Sequence, residues 1–348
     1  MSNSKKTPVK SRWRFLVLFV VVLIILLQAI GLPVAAKTPV PADPTAAQQG
    51  LTAAERHTAL TQLAAVLAEH YVLPEMAAQL STALLQAETA GRFHHLQSKQ
   101  QLVDEVGGWL RSVGKDGHLG LELTQSYGEV THIRHESEEK RRNNFAFEKL
   151  EILPGNIGYL KLNKFVQADA AFDVASQALQ FLSRTDALII DLRESAGGSP
   201  QLVRYLLSHF VPADTLLWQL ERRSMEQTEQ AEEVRAQVVL QKQLQMPLYV
   251  LQSVNQASAA EFFSYALQQQ GRATVIGETS AGLAHYTGAM AVTDWLFVRI
   301  PLARPLFPKN ADNFEQRGVV PDVKVPAAAA LQQALLLERQ RRDNIAQH

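Results

Sequence analysis

Apolar and polar residues follow three regimes along this chain. The first is an uninterrupted apolar run from Phe15 to Leu27, preceded by a basic stretch with Lys5, Lys6, Lys10, Arg12 and Arg14. The second, residues 51 to 114, repeats at helical spacing. Leu60, Leu63, Leu67 and Tyr71 share one face of a first helix. Pro74 stands where a first helical residue would, and Met76, Leu80, Leu84 and Leu85 carry an apolar side to a stop at Gly91. Ser98 and Gln101 have capping-box spacing ahead of Leu102, Val106 and Leu110, and Gly114 closes this third helix.

The third regime begins at Phe145. Residues 145–147 and Ile157 to Leu162 read as strands, with a turn at Pro154, Gly155 and Asn156. Residues 168 to 184 have a helical pattern, with Ala171, Val174, Leu179 and Leu182 available for burial. Ala187 to Ile190 and Leu248 to Leu251 are short apolar runs of the kind buried in parallel sheets. This alternation predicts α/β layering. Residues 221 to 245 are charged and Gln-rich, which predicts a solvated outer helix.

Composition narrows the chemistry. With 348 residues the chain can hold a large core, read as one catalytic domain plus a smaller accessory one. Zero net charge and a pI near 7.2 give no nucleic-acid footprint. The absence of cysteine removes disulfides, thiolate catalysis and cysteine-based zinc sites. The basic start, apolar run and small-residue exit at Val34, Ala35 and Ala36 describe a signal peptide, or an uncleaved membrane anchor, over residues 1–36. Either way the body is exported, periplasmic or extracellular, with membrane contact only through this segment. Residues 37–50, rich in Pro, Ala and Gln, form a linker.

The most informative position is Ser258, where the apolar run from Tyr249 breaks into a helix. Amides at a helix N-terminus are unpaired and partly positive, so a serine there can attack a carbonyl while neighbouring amides hold the oxyanion. Ser258 with Glu261 is equally a plain capping box. Three further segments accompany it. Lys115 to Leu121 contains Asp116, Gly117 and His118; Ile190 to Pro200 opens into Gly197 and Gly198; Phe314 to Val323 contains Glu315, Gly318 and Asp322. The Ser258 segment itself continues through Gly277 to Gly282.

In that order these segments resemble the serine peptidase family of the C-terminal processing (tail-specific) peptidases, the tricorn core and interphotoreceptor retinoid-binding protein. The resemblance implies an α/β fold, a crotonase/ClpP-like ββα layered core over residues 115–348, with an N-terminal helical subdomain over residues 51–114. It implies a cofactor-independent enzyme, without metal, acting on a polypeptide. Ser258 falls on the nucleophile, the Ala259 amide on one oxyanion donor and an amide of Gly197 or Gly198 on the other. Leu283 stands at about the position of the tail-specific lysine, so a Ser–Lys dyad is unavailable. The tricorn-like branch uses a histidine base, and His118 and Glu315 stand at its places, although its serine beside the histidine is Gly117 here. Glu315 would orient the base or bind the amino end of the substrate. His285 is a second candidate for contact with nucleophile or substrate. About two dozen residues between Leu121 and Phe145 leave no room for a PDZ domain.

Bland readings stand beside these. His118 could be a turn residue, Glu315 a surface carboxylate beside Arg317, and Asp191 with Arg193 a structural ion pair. Phe262, Phe263 and Tyr265 read as core packing. The rival functions are a carrier of apolar ligands, as the retinoid-binding relative implies, and an inactive scaffold.

The leader yields a direct expectation. N-terminal sequencing of exported protein should find a start near Lys37; an intact Met1 in a membrane fraction would instead identify the anchor, and a soluble cytoplasmic product retaining Phe15 to Leu27 would contradict both.

Overall fold

In the computed structural model, the three helices expected before residue 115 are α1 (Ala53–His70), α2 (Pro74–Thr89) and α3 (Lys99–Gly114). The structure describes residues 50–124, 138–223, 231–239 and 244–347; the leader and all but the last residue of the linker lie outside the described residues. Among the described residues, no helix is long and apolar enough to cross a membrane. The described residues belong to one compact unit.

Helix α1 starts on a capping box: the Glu55 amide donates to Thr52 Oγ1 at 3.2 Å, and the Thr52 amide to Glu55 Oε2 at 2.9 Å. The Ser98–Gln101 box opens α3 as expected. Leu60, Leu63, Leu67 and Tyr71 are all buried, with Leu80 and Leu84 from α2, while Leu85 remains 41 % exposed. Helix α3 ends differently from the reading above. Lys115, not a glycine, adopts the left-handed conformation (φ 49°). Gly114 is small for packing instead, since a Cβ there would stand 2.9 Å from Leu119 Cδ1.

Two sheets follow. The first, in the order β11–β8–β7–β4–β3–β2, comprises β2 (Phe147–Leu153), β3 (Ile157–Leu162), β4 (Ala187–Asp191), β7 (Leu248–Gln252), β8 (Thr274–Gly277) and β11 (Val323–Lys324). Only the β2–β3 pair in it is antiparallel. Every residue of β4 and β7 is buried, as continuous apolar runs covered on both faces require. One face packs into the core containing α5 (Asp169–Leu182), α6 (Pro200–Leu207) and α7 (Ala259–Gln269); the other packs against α8 (Ala330–Ala346). The short helix α4 (Glu138–Arg142) precedes β2. The second sheet is antiparallel: β1 (Gly120–Leu123), β10 (Leu296–Leu306), β5 (Leu216–Arg222) and β6 (Glu232–Arg235) in that order, with β9 (Tyr286–Ala291) also on β10. Helices α1 to α3 bury their apolar faces against Leu121, Leu296, Val298 and Ile300 of this sheet.

Two expectations are corrected. Residues 144–146 form a 3-10 turn with Phe145 at φ 52°, and the strand begins at Phe147. Where an outer helix was expected over 221–245, the described residues contain the end of β5 and the strand β6; cross-strand pairing overrides the polar composition. Val174 is only partly buried, whereas Ala171, Leu179 and Leu182 are buried as expected.

Candidate active site

Strand β7 runs into α7 through Ser258, and the backbone makes that turn unusual. Ser258 has φ 54° and ψ −125°, a conformation that costs a non-glycine residue on the order of 1–3 kcal/mol. Such a strained strand-to-helix turn pushes a serine side chain out of the sheet toward a cavity. The strain is held from two sides. The Ser258 amide donates to Glu261 Oε2 at 2.7 Å, and the Ala257 amide donates to the Ser195 carbonyl at 3.1 Å. Gly197, at φ 88°, backs directly onto the turn: a Cβ there would stand 2.7 Å from the Ala257 carbonyl oxygen and 2.8 Å from Ser258 Cβ.

Glu261 is the helix cap that the spacing suggested, and more. Its buried carboxylate also accepts from the Ser280 hydroxyl (2.6 Å) and from the amides of Gly282 (2.7 Å) and Leu283 (2.9 Å). Burial pushes its carboxyl upward, against the pull of those donors. Gly198 lines a cavity of about 800 Å3 together with Ser258, His118 and Leu283. Among the described residues, the amides of Gly197, Gly198 and Ala259 donate to no protein acceptor.

His118 reaches this cavity from the loop between α3 and β1. Its Nε2 lies 3.4 Å from Ser258 Oγ, at the long end of hydrogen-bond reach. The loop is shaped by Asp116, whose Oδ1 accepts the His118 amide at 2.8 Å and lies 3.7 Å from His118 Nδ1. Among the described residues, buried Nδ1 has no hydrogen-bond partner. Burial pushes the imidazole down to about 4; His285 and Arg299 push the same way and Asp116 opposes. The departure from the tail-specific pattern, Leu283, and that from the tricorn-like pattern, Gly117, meet here. A Cβ on Gly117 would stand 2.8 Å from Leu283 Cδ2, so the leucine occupies the space over the glycine.

The structure does not bring His285 to Ser258. Its Nδ1 donates to Asp116 Oδ2 at 2.9 Å, and Glu315 Oε2 lies 3.7 Å from the same nitrogen. Glu315 touches this second histidine rather than His118, and its Oε2 accepts the Ala284 amide at 2.6 Å. Asp116 Oδ2 accepts once more, from the Tyr71 hydroxyl at 2.8 Å. Burial opposes ionisation of Asp116, but the bonds from His285, Tyr71 and the His118 amide outweigh it and hold the carboxyl below its usual range. Burial raises the Tyr71 hydroxyl, with Asp116 adding to the shift, and raises Glu315 to about 7. Asp116, His285 and Glu315 each offer a ligand atom within 4.8 Å of the others, a spacing from which a divalent cation could be held. Donation from His285 Nδ1 to Asp116 and coordination through that nitrogen exclude one another.

Sequence reasoning passed over Tyr71 and Asp116 as site residues. Asp116 stood in view beside His118; Tyr71 carried only the signal of a buried helix face. Arg193 and Asp191 are the structural pair expected, at 2.6 Å, with the Tyr159 hydroxyl on the same carboxylate. Phe262, Phe263 and Tyr265 are buried in edge-to-face contacts with Trp218, Phe210 and Phe307.

The sequence profile of peptidase family S41 matches residues 156–325, and that of the N-terminal domain accompanying it in eukaryotic IRBP matches residues 51–151. The chain belongs to peptidase family S41. It is 27% identical over 183 residues to the carboxy-terminal processing protease CtpB of Bacillus subtilis, covering 52% of this chain and 36% of that protein. It is 27% identical over 185 residues to a carboxyl-terminal-processing protease of Picosynechococcus, covering 53% and 42%. The chain thus spans less than half the length of these curated relatives. In fold it is similar to a lipoprotein from Streptococcus agalactiae (TM-score 0.55, 13% identity, 82% of this chain and 96% of that one). It is likewise similar to a putative peptidase from Parabacteroides merdae (TM-score 0.53, 18% identity, 78% and 88%).

The close approach of Gly197 to the Ser258 turn is testable. Gly197→Ala should cost about 1–3 kcal/mol of stability through overpacking. In protein that still folds, the rate of Ser258 modification by a fluorophosphonate should fall on the order of a hundredfold. Labelling at the parent rate would show that the turn does not depend on this contact.

Proposed function

We propose that this S41 member is an exported serine peptidase that cleaves a polypeptide through an acyl-enzyme on Ser258. The observation that carries this reading is the Ser258 hydroxyl, held at a strained strand–helix turn and facing an imidazole nitrogen 3.4 Å away. The homologues named as carboxyl-terminal processing proteases support a processing role, and the N-terminal basic and apolar pattern supports export. The charged lining of the cavity, with Lys164 and Arg299, weighs against a carrier of purely apolar ligands.

The chemistry follows from the geometry. His118 Nε2 removes the proton from Ser258 Oγ as the oxygen adds to the scissile carbonyl, and the oxyanion is held by the Ala259 amide and the amide of Gly198. Gly197 acts behind them, keeping the turn close. His118 returns the proton to the leaving amine, and water then hydrolyses the acyl-enzyme by the same route. Asp116 holds the loop of the base and faces its Nδ1, stabilising the imidazolium. Asp116 is in turn fixed by Tyr71 and His285, and Glu315 braces His285 from behind. His285 and Glu315 are positioning residues, acting through Asp116 rather than on substrate.

Ser258→Ala should abolish both fluorophosphonate labelling and peptide cleavage. Retained cleavage at the parent rate would remove Ser258 from the role. His118→Ala should lower kcat by about 10²–10⁴-fold with little change in KM.

The working base is neutral imidazole, so a pKa pushed downward extends activity to lower pH. The acid limb of kcat/KM should therefore lie well below 6.5, toward 4, rather than at the value of an unperturbed histidine. His285→Asn removes a group that depresses His118, so it should lower kcat and move that limb to higher pH. A limb unmoved by this variant would separate His285 from the base.

A further inference from the structure

Three cations, Lys140, Lys164 and Arg299, and one carboxylate, Glu139, line the cavity that holds Ser258; Arg299 and Lys164 flank the serine from two sides. Arg299 lies on β10, and its Nε donates to the His118 carbonyl at 3.1 Å. Its guanidinium lies over Gly120, the residue paired with it across β1 and β10, where a Cβ would stand 3.2 Å from Nη2. The group is thus seated beside His118, and among the described residues its terminal nitrogens donate to no protein acceptor. Lys164 follows β3 and precedes Phe165, whose amide donates to the Gly197 carbonyl at 2.8 Å, so it flanks the oxyanion turn. Among the described residues neither makes an ion pair. Their neighbours on the same stretches do: Lys161 pairs with Glu148 and Glu194, and Arg304 pairs with Glu221. Glu139 also lines the cavity but pairs with neither Arg299 nor Lys164.

We propose that this cavity is a carboxylate-reading subsite: it selects polypeptides that carry a carboxylate close to the scissile bond, received by Arg299 on the side of the base with Lys164 adding positive potential on the side of the oxyanion turn. A seated guanidinium offers two parallel donors matched to a carboxylate, and a cavity lined by more cations than carboxylates favours anionic ligands. The carboxylate can be the free C-terminus of the substrate or an Asp or Glu side chain near it. Its arrival also neutralises the charge that, behind burial, disfavours protonated His118, so binding strengthens the base it sits beside.

The inference rests on the peptidase reading for its meaning, but its test needs no turnover. Ser258→Ala protein is titrated, by fluorescence anisotropy, with fluorescein-labelled hexa-alanine as the free acid, as the C-terminal amide, and as the amide with Glu at the penultimate position. At least one carboxylate peptide should bind about tenfold more tightly than the neutral amide, the scale of one charge-assisted hydrogen bond. The advantage should shrink with added salt and fall sharply when Arg299→Gln or Lys164→Gln is added. Preference for the free acid alone assigns a C-terminal carboxylate; preference for the Glu amide alone assigns a side chain. Equal binding of all three, including no binding, overturns the proposal, as does an advantage that survives both cation variants. Should Arg299→Gln not fold, the exposed Lys164→Gln carries the comparison. Failure of Ser258 to react with a fluorophosphonate would sink the peptidase reading while leaving this selectivity measurable.

Discussion

One buried carboxylate organises the site. Glu261 has no exposure to water, and it is tolerable there because four donors converge on it: the Ser258, Gly282 and Leu283 amides and the Ser280 hydroxyl. A buried anion with that many charge-assisted bonds fixes the distance between everything it touches. On one side is the strained Ser258 turn; on the other is the loop that delivers Leu283, Ala284 and His285. Ser280 continues the link, its hydroxyl oxygen accepting the Val319 amide at 2.7 Å and so tying in the segment that carries Glu315. Motifs far apart in sequence share one register because a single side chain spans them.

Much of this was legible beforehand, and for physical reasons. The strands β3, β4 and β7 show themselves as apolar runs, and the helices before residue 115 show themselves by period and caps. Ser258 and Glu261 had the spacing of a cap, and the cap is real. What the local pattern could not carry was long-range pairing. The positive φ of Ser258 has no compositional signal, since any serine at a helix start looks alike. Strand β6 exists because β5 lies beside it, and its charges face water. Tyr71 had the signature of a core aromatic and is one, but its hydroxyl finds a carboxylate 45 residues away. His285 stood near the right motif, and only the fold decides that it faces Asp116 rather than Ser258.

Gly117 and Leu283 read along the chain as two separate departures from relatives. In space they form one interlocking contact. A side chain at residue 117 and a leucine at residue 283 compete for the same volume, so changing either alone meets the other. A lysine introduced at residue 283 would enter a wall built for an apolar side chain, beside an imidazole already facing the serine.

The bond from Tyr71 to Asp116 has a further consequence. The contacts that make the site span 45 residues (Tyr71 to Asp116), 140 (His118 to Ser258) and 169 (Asp116 to His285). Closing such loops is costly in chain entropy, and no local segment can stabilise them in isolation. Helix α1 therefore contributes more than a lid over the second sheet: its C-cap residue, Tyr71, supplies a hydroxyl to the buried aspartate. This arrangement of side chains exists only when the first and last thirds of the molecule have both docked, so an incompletely folded chain lacks it.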